Sequence, residues 1–391
     1  MAQGLDSPDV LRQLRATPEL LAQIAGAESV DMSLQTQLRR DFPAELVVAA
    51  LQLHESRVRA RKKFSRADDM WLTRVGVEQS TAEAVAQYKA ERIRGADFVW
   101  DVCCGIGSDS IALAQVVNRV EAVDLSEAAC LRAAWNCEVY GVESSVNMQV
   151  ADATSLDYAG KLVHIDPDRR AGQSRSTRIE TYQPGLEFLQ QLTTTAVGGA
   201  IKLSPASNFG GKFPDCEVEL ISHQGECKEA TVWFGSCRLE HPWRATVLPA
   251  GATISGDPFY VRSPVGPLQQ YMYDPNPAVV RAGLIDVLAT QEGFTRLDAS
   301  EEYLTSGQPV DSPFVSSFRV LDSFPHNRKE LSKIVAGHEI GELEIKCRHV
   351  PVDVDALRKK LKLNGPNRRT LFIAKIEGRT RYVLAERVDQ N

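Results

Sequence analysis

The hydrophobic pattern of this chain changes period twice, and each change marks a boundary. Over residues 1–95 apolar positions recur at helical spacing, as in Leu46, Val47, Ala50, Leu51 and Leu53. Ser7-Pro8-Asp9 and Thr17-Pro18-Glu19 put proline at a first helical position, where its missing N–H costs nothing. Pro43 opens a long helical segment, and Ser80-Thr-Ala-Glu83 has the spacing of a capping box for a helix running to Arg94 and closed by Gly95. The sequence predicts a helical N-terminal region over 1–95.

From residue 96 short apolar runs alternate with helical patterns. Strands are predicted at 97–103, 119–124, 146–152, 162–166 and 199–203, with a helix over 126–140 ended by Gly141. Such repetition predicts an α/β domain over 96–248, a doubly wound, mainly parallel sheet covered on both faces. Segments 217–222 and 229–234 read as an antiparallel hairpin at the sheet edge, and the Pro/Gly-rich stretch 248–267 as a domain boundary. Residues 268–391 then read as an α+β domain. Helices are predicted at 277–290, 327–336 and 354–363, strands at 314–321 and 342–348, and a hairpin at 371–376 and 382–387.

The 391 residues are 43% hydrophobic and 25% charged, which suits a globular chain of two or three domains. No apolar run reaches membrane-spanning length, and the opening Met-Ala-Gln-Gly-Leu-Asp lacks the basic start and apolar stretch of a signal peptide. Eight cysteines without C-x-x-C spacing predict reduced thiols rather than disulfides or zinc. Together these lead to the expectation of a cytoplasmic protein with no metal and no membrane partner. A net charge of −6 does not mark a nucleic-acid binder, but the basic residues are clustered. Six fall within 57–66, a second group is Arg358-Lys-Lys-Leu-Lys362 with Arg368 and Arg369, and a third is Arg169, Arg170, Arg175 and Arg178. Three clusters beside a candidate site favour an anionic substrate.

The chemistry starts at Asp101-Val-Cys-Cys-Gly-Ile-Gly-Ser-Asp-Ser-Ile-Ala-Leu-Ala114. A strand, a turn with glycines at 105 and 107 and a helix N-terminus bring backbone N–H groups close to a nucleotide-like ligand. An acid on the strand, Asp101, would repel a pyrophosphate but suits the amine of an amino-acid moiety, and so S-adenosylmethionine (SAM). Three more acids end successive strands. Asp124, 17 residues after Gly107, can accept both ribose hydroxyl protons; Asp152 can accept from an adenine amino group; Asp166 falls where the sulfonium of the donor should lie. A dinucleotide dehydrogenase would want a third glycine where Ser110 stands.

These ordered motifs resemble those of class I SAM-dependent methyltransferases, with their Rossmann-like fold. Nearly the full length is similar to a bacterial family with a helical N-terminal region, a methyltransferase domain and a C-terminal THUMP-like domain. The narrower resemblance rests on Arg61-Lys-Lys-Phe64, Val77-Glu-Gln-Ser80, Asp166-Pro-Asp-Arg-Arg170, Ile201-Lys-Leu-Ser-Pro205, Tyr273-Asp-Pro-Asn-Pro-Ala278 and Glu344-Ile-Lys-Cys-Arg348. It implies a methyltransferase acting on RNA. SAM would then lie against Gln79, Asp101, Cys103, Gly105, Gly107, Asp124, Leu125, Asp152 and Ala153.

Asp166-Pro167 narrows the acceptor. Nucleobase amino-methyltransferases resemble one another in an Asp/Asn-Pro-Pro-aromatic turn, and here the aromatic is missing. Asp166-Pro-Asp-Arg-Arg-Ala-Gly172 also resembles uracil-5 methyltransferases, whose nucleophilic cysteine is replaced here by Ser204, a far poorer nucleophile. Transfer to a heteroatom of tRNA or rRNA remains, with Asp166 as proton acceptor and Arg169 and Arg170 beside the substrate. Candidate RNA contacts are Lys62, Lys63, Phe64, Lys202, Lys359 and Lys360, together with Lys346, Arg348, Lys362, Arg368 and Arg369 of the THUMP-like domain. The alternatives are a non-catalytic SAM-binding RNA module, or a methyltransferase for a small molecule or protein. Oligomeric state is left open.

Overall fold

The computed structural model describes residues 7–27, 29–169 and 177–388. The chain divides into two units, residues 1–216 with 231–239, and residues 217–230 with 240–391.

The first unit opens with the expected helices: α1 (Pro8–Arg15), α2 (Pro18–Ala25), α3 (Met32–Asp41) and α4 (Ala44–Ala60). Proline stands at the first position of α1 and α2, and Asp31 caps α3 by accepting from the N–H groups of Ser33 and Leu34 at 2.9 and 3.0 Å. The apolar faces bury Leu11, Leu14, Leu20, Leu46 and Leu53 in one core with Phe64, Trp71 and Trp135. Next come α5 (Arg74–Gln79) and α6 (Glu83–Ala90). The predicted capping box is not formed. Ser80 instead ends α5, and Glu83 accepts from Ser65 N and Oγ (2.6 and 2.9 Å) and from the Tyr140 hydroxyl (3.2 Å). Tertiary partners win over the local cap, and the helix goes on only as a short 3-10 turn, Glu91–Ile93.

The sheet follows the predicted alternation: β1 (Phe98–Val102), α7 (Ser108–Ala114), β2 (Arg119–Asp124), α8 (Glu127–Tyr140), β3 (Val146–Val150), β4 (Leu162–Ile165), α9 (Leu186–Thr195) and β5 (Gly198–Leu203). Its order is β3-β2-β1-β4-β5, with each neighbouring pair parallel. The order reverses between β1 and β4, the switch point where such sheets take ligands.

One side chain ties the helical region to this sheet. Asn136 on α8 is fully buried; its Oδ1 accepts from Trp71 N at 2.7 Å while its Nδ2 donates to Trp71 O at 3.1 Å and Ile106 O at 2.9 Å. Ile106 lies between the two glycines of the turn, so Asn136 holds that turn from behind.

In the second unit, β6 (Glu217–His223) and the start of β7 (Glu226–Gly235) turn at Gln224 and Gly225, both at positive φ, as a hairpin. It is not an edge. β6 pairs in parallel with β8 (Trp243–Leu248), which pairs antiparallel with β9 (Ala252–Gly256). The Pro/Gly content of 248–267 thus concealed a strand. The remainder is β10 (Tyr271–Pro275), α10 (Pro277–Arg281), α11 (Ile285–Glu292), β11 (Thr295–Arg296), β12 (Leu304–Ser306), β13 (Val315–Pro325), α12 (Arg328–Gly337), β14 (Ile340–Cys347), α13 (Val354–Arg358), β15 (Asn367–Ile376) and β16 (Arg379–Arg387). The helix predicted over 277–290 is broken at Gly283, which has φ +72°. These strands form a seven-stranded sheet, β11-β12-β10-β13-β16-β15-β14, and α12 and α13 bury Leu331, Val335 and Leu357 on its face.

Asn136→Ala leaves a buried N–H and two carbonyls without their partner. It should lower unfolding stability by roughly 2–4 kcal/mol, measured by urea titration, whereas a loss below half a kcal/mol would mean that the three bonds do not hold the turn.

Candidate active site

Parallel strands bring their carboxyl ends to one edge, while side chains alternate between faces. Asp101 on β1 and His164 on β4 are register partners, so they stand side by side on one face. Above them α7 supplies Asp109 and Ser110, and α6 supplies Lys89. Asp101 is 1% exposed; its Oδ1 accepts from His164 Nδ1 at 2.7 Å and its Oδ2 from the Ser110 hydroxyl. Each oxygen thus has one protein partner, and Asp101 joins β1, β4 and α7 beneath the glycine turn. The serine that breaks the dinucleotide fingerprint is one of its two partners.

Sequence reasoning missed the other members of this cluster. Asp109 accepts from the Thr81 hydroxyl at 2.6 Å and pairs with Lys89 Nζ at 2.9 Å. His164 Nε2 lies 3.2 Å from Lys89 Nζ and 3.7 Å from Asp109 Oδ1. Burial pushes the Asp109 carboxyl up, but Lys89, His164 and Lys202 outweigh it and hold the group well below the usual carboxylate range. Burial likewise pushes the His164 imidazole down, and Asp109 and Asp101 outweigh that to raise it. The available signal was Lys89 and Asp109 themselves, two charges at helix positions flanked by Val85, Ala86, Ala112 and Leu113, all buried.

The turn above them adopts left-handed backbone at Cys103 (φ 60°), Gly105 (58°) and Gly107 (81°). A Cβ on Gly107 would stand 3.0 Å from the Ala133 Cα, so glycine lets α8 approach. A Cβ on Gly105 would meet nothing within 4 Å, so this side of the turn is open. The Gly105 N–H donates to Asp124 Oδ2 and the Ser126 N–H to Oδ1, both at 2.9 Å. Burial raises the Asp124 carboxyl despite those two donors. Leu125 beside it is 74% exposed, an apolar platform, and Ala153 is buried. Asp152 accepts from the Thr154 N–H and hydroxyl, both on Oδ1. The Cys103 thiol is pushed well up, by burial first and then by the charges of Asp124, Asp166, Asp101 and Asp168.

Asp166 is bonded at Oδ2 by Lys202 Nζ at 2.6 Å, and the same ammonium donates to Gln79 O at 2.9 Å. Gln79 Nε2 in turn reaches Asp168 Oδ1 at 3.1 Å. Gln79 is thus committed to this corner. The Asp168 backbone pairs with Gln183, with N···O distances of 2.7 and 2.9 Å, which braces the Asp-Pro-Asp turn. Arg169 is half-buried and makes no ion pair among the described residues; Arg170 lies outside them. Of the other expected contacts, Lys62 is exposed. Phe64 is 5% exposed in the helical core, which leaves no ring face for a base. Lys63 donates to Val77 O (2.6 Å) and Ser80 O (2.8 Å), closing the end of α5. In the second unit Lys359 and Lys360 are exposed, whereas Lys346 and Arg348 bind Asp274 at 2.8 and 2.6 Å and are not presented outward.

An open glycine turn, a carboxylate anchored on its N–H groups, an exposed leucine and a further acid in strand order fit a nucleoside carrying an amino-acid tail. These residues fit SAM. Lys89→Met leaves the buried Asp109 carboxylate without its ammonium, and should cost roughly 3–5 kcal/mol of stability. Lys89→Met/Asp109→Asn should recover part of it in denaturant titrations; equal losses in both variants would contradict the pairing.

Comparison with known proteins gives the family. Residues 315–387 match the family model of a THUMP domain-like module, and residues 96–197 that of the RNA cap guanine-N2 methyltransferases. A crystal structure from Porphyromonas gingivalis W83, described as a candidate methyltransferase, superposes with a TM-score of 0.78 at 20% identity over 95% of this chain and 99% of that one, a likeness of fold. Two Mycobacterium tuberculosis proteins, from strains CDC 1551 / Oshkosh and ATCC 25618 / H37Rv, are named uncharacterized S-adenosylmethionine-dependent methyltransferases. Each is 31% identical over 312 residues, 78% of this chain and 85% of theirs. By sequence and fold, the chain belongs to this family of SAM-dependent methyltransferases, with a C-terminal THUMP-like domain.

Proposed function

We propose that this methyltransferase acts on a heteroatom of structured RNA, tRNA or rRNA, with Asp166 as the proton acceptor. The observation that carries this reading is the Asp166 carboxyl: half-buried at the end of β4, next along the row from the donor site, and raised from the usual range, by burial first, against the opposing pull of Lys202. A carboxylate raised toward neutrality is a better base for a nucleophile that loses a proton as it is methylated.

SAM supplies an electrophilic methyl group and a good leaving group. The chain's part is then to hold the acceptor in line and take up one proton. Asp124 would hold the ribose, Asp152 and Ala153 the adenine with Leu125 against its face, and the Gly105–Gly107 turn the amino-acid end. Lys202 fixes the Asp166 carboxylate through Oδ2, and the missing aromatic after Pro167 argues against a stacked base held as in Asn-Pro-Pro-aromatic enzymes.

Support for RNA comes from the second unit. The outer sides of α12 and of the α13 end carry exposed Arg328, Lys329, Lys333, Arg358, Lys359, Lys360 and Lys362. The helices pack through their other sides into the same core, so the cations share one face of the sheet. A surface of this kind contacts phosphates and 2′-hydroxyls without reading sequence. Arg368, paired with Glu342 but 72% exposed, borders it. The description of the matched methyltransferase model, and the THUMP-like match, point the same way.

Labelled methyl transfer from SAM to RNA taken from cells that lack the protein is the test. Wild type should label RNA, and Asp166→Ala should bind SAM normally while labelling about 10²–10⁴-fold more slowly. Lys359→Glu/Lys360→Glu should raise KM for RNA, flatten its salt dependence by about one unit per lost phosphate contact, and leave SAM affinity unchanged. Labelling of protein or metabolite fractions but not RNA would overturn the reading.

A further inference from the structure

The Pro/Gly-rich stretch that the pattern marks as a boundary carries a feature that neither the donor site nor the basic helices use. Between β9 and β10, Phe259 is 76% and Tyr260 87% exposed. No other phenylalanine, tyrosine or tryptophan among the described residues is exposed. The turn that carries them is firmly held. The Asp257 carboxylate accepts from the Phe259 N–H at 2.9 Å, and the Asp257 carbonyl from the Tyr260 N–H at 3.2 Å. Pro258 packs at Gly283, where a Cβ would stand 3.4 Å from its ring. Just beyond, Ser263 donates from N and Oγ to Asp286 of α11 at 3.2 and 2.6 Å. The Pro264 carbonyl then accepts from the Arg296 N–H of β11 at 2.9 Å. The two rings are thus held out by a braced turn.

A cation is fixed beside them. Arg262 donates from Nη1 to Pro258 O at 2.8 Å and Val261 O at 2.7 Å, the carbonyls that bracket the two aromatics in sequence. Among the described residues this guanidinium makes no ion pair, and neither ring makes an aromatic or cation–π contact. The acids of the segment are committed elsewhere, Asp257 to the turn and Asp286 to Ser263 and Arg296. Two rings with open faces and a cation without a counter-charge match the two parts of a nucleotide, base and phosphate. They match a second copy of the chain poorly. Two such rings supply roughly 300–500 Å², with only Val265, 51% exposed, beside them in the segment. A stable protein interface takes about 800 Å² from each partner, whereas stacking needs one ring face.

We propose that Phe259, Tyr260 and Arg262 form a site for an unpaired stretch of RNA, its bases stacked on the rings and a phosphate on the guanidinium. The proposal rests on RNA as the substrate, and adds a contact of a kind that the basic helices do not make. Lysines on a helix face meet phosphates in paired and unpaired RNA alike, whereas a stacking ring takes a base that has left its helix. Every base has a π face, so the site selects unpaired RNA over duplex without selecting sequence. It directs the enzyme to a loop, a bulge or an end of a folded RNA.

The test is binding of the full-length protein, followed by fluorescence anisotropy, to an RNA hairpin with a single-stranded adenosine tail and to the same hairpin with an abasic tail. The tails carry equal charge and differ only in their bases. Wild type should prefer the adenosine tail by about 5–150-fold for each base stacked. Phe259→Ala/Tyr260→Ala should bind both RNAs with the wild-type affinity for the abasic one, and Phe259→Trp/Tyr260→Trp should keep the preference. Arg262→Gln should weaken both tails alike and reduce the salt slope by about one unit. Equal affinity of the wild type for the two tails, or a preference that survives the double alanine variant, overturns the proposal. Self-association of the wild type that the alanine substitutions abolish also overturns it, since the rings would then serve a second copy. Binding of neither RNA would instead contradict the RNA reading on which the proposal rests.

Discussion

A carboxylate with 1% exposure survives folding only when both of its oxygens are bonded, and Asp101 meets that condition through one strand neighbour and one helix residue. The in-register pairing of Asp101 with His164 is the contact on which the rest of the donor site depends. It fixes β1 against β4 at the switch point. The Ser110 hydroxyl fixes the start of α7, and so the exit of the glycine turn; Asn136 fixes the same turn at Ile106. Lys89 and Asp109 then extend the buried charges to α6, and through Thr81 to the segment that also carries Gln79. Donor turn and helical region share one set of buried partners, which accounts for the N-terminal helices folding into the same unit as the sheet.

A second chain of contacts, Asp168–Gln79–Lys202–Asp166, runs at the surface of the same edge. Removing Lys202 would leave Asp166 unanchored, whereas removing Lys89 leaves a buried charge unpaired. The first loss should alter chemistry and the second stability. On the proposed reading, positioning charges lie below and the reacting group at the rim, as desolvation favours, since a reacting group needs access and a positioning group needs a fixed geometry.

Much of the fold was legible because the period of the apolar positions changes sharply at 96, and because glycine, proline and acid residues mark the strand ends. The five parallel strands and the acids at Asp124, Asp152 and Asp166 needed nothing more. The buried cluster was not legible, since a lysine or aspartate on an inner helix face looks like any other charge until its partners are brought in by residues as far apart as 81 and 164. Asp101 was read from its strand-end position, which does not reveal its partners His164 and Ser110. Local signals also misled where distant partners outweighed them. Glu83 has the spacing of a cap but binds Ser65 and Tyr140. Lys63 and Phe64 stand in a basic run that suggests RNA, yet one closes α5 and the other lies in the core. Lys346 and Arg348 similarly pair with Asp274 of Tyr273-Asp-Pro-Asn-Pro, so those two separated motifs meet in the fold.

The central claim is that the acid row and glycine turn at the β1–β4 switch point form the donor site, with Asp101 beneath it. A crystal structure with S-adenosylhomocysteine tests it most directly. The account predicts the ribose hydroxyls on Asp124, the adenine between Leu125 and Asp152, the amino-acid end over Gly105 and Gly107, the sulfur facing Asp166, and Asp101 still bonded to His164 and Ser110. A ligand bound elsewhere, or an Asp101 that leaves His164 to contact the amine itself, would contradict it.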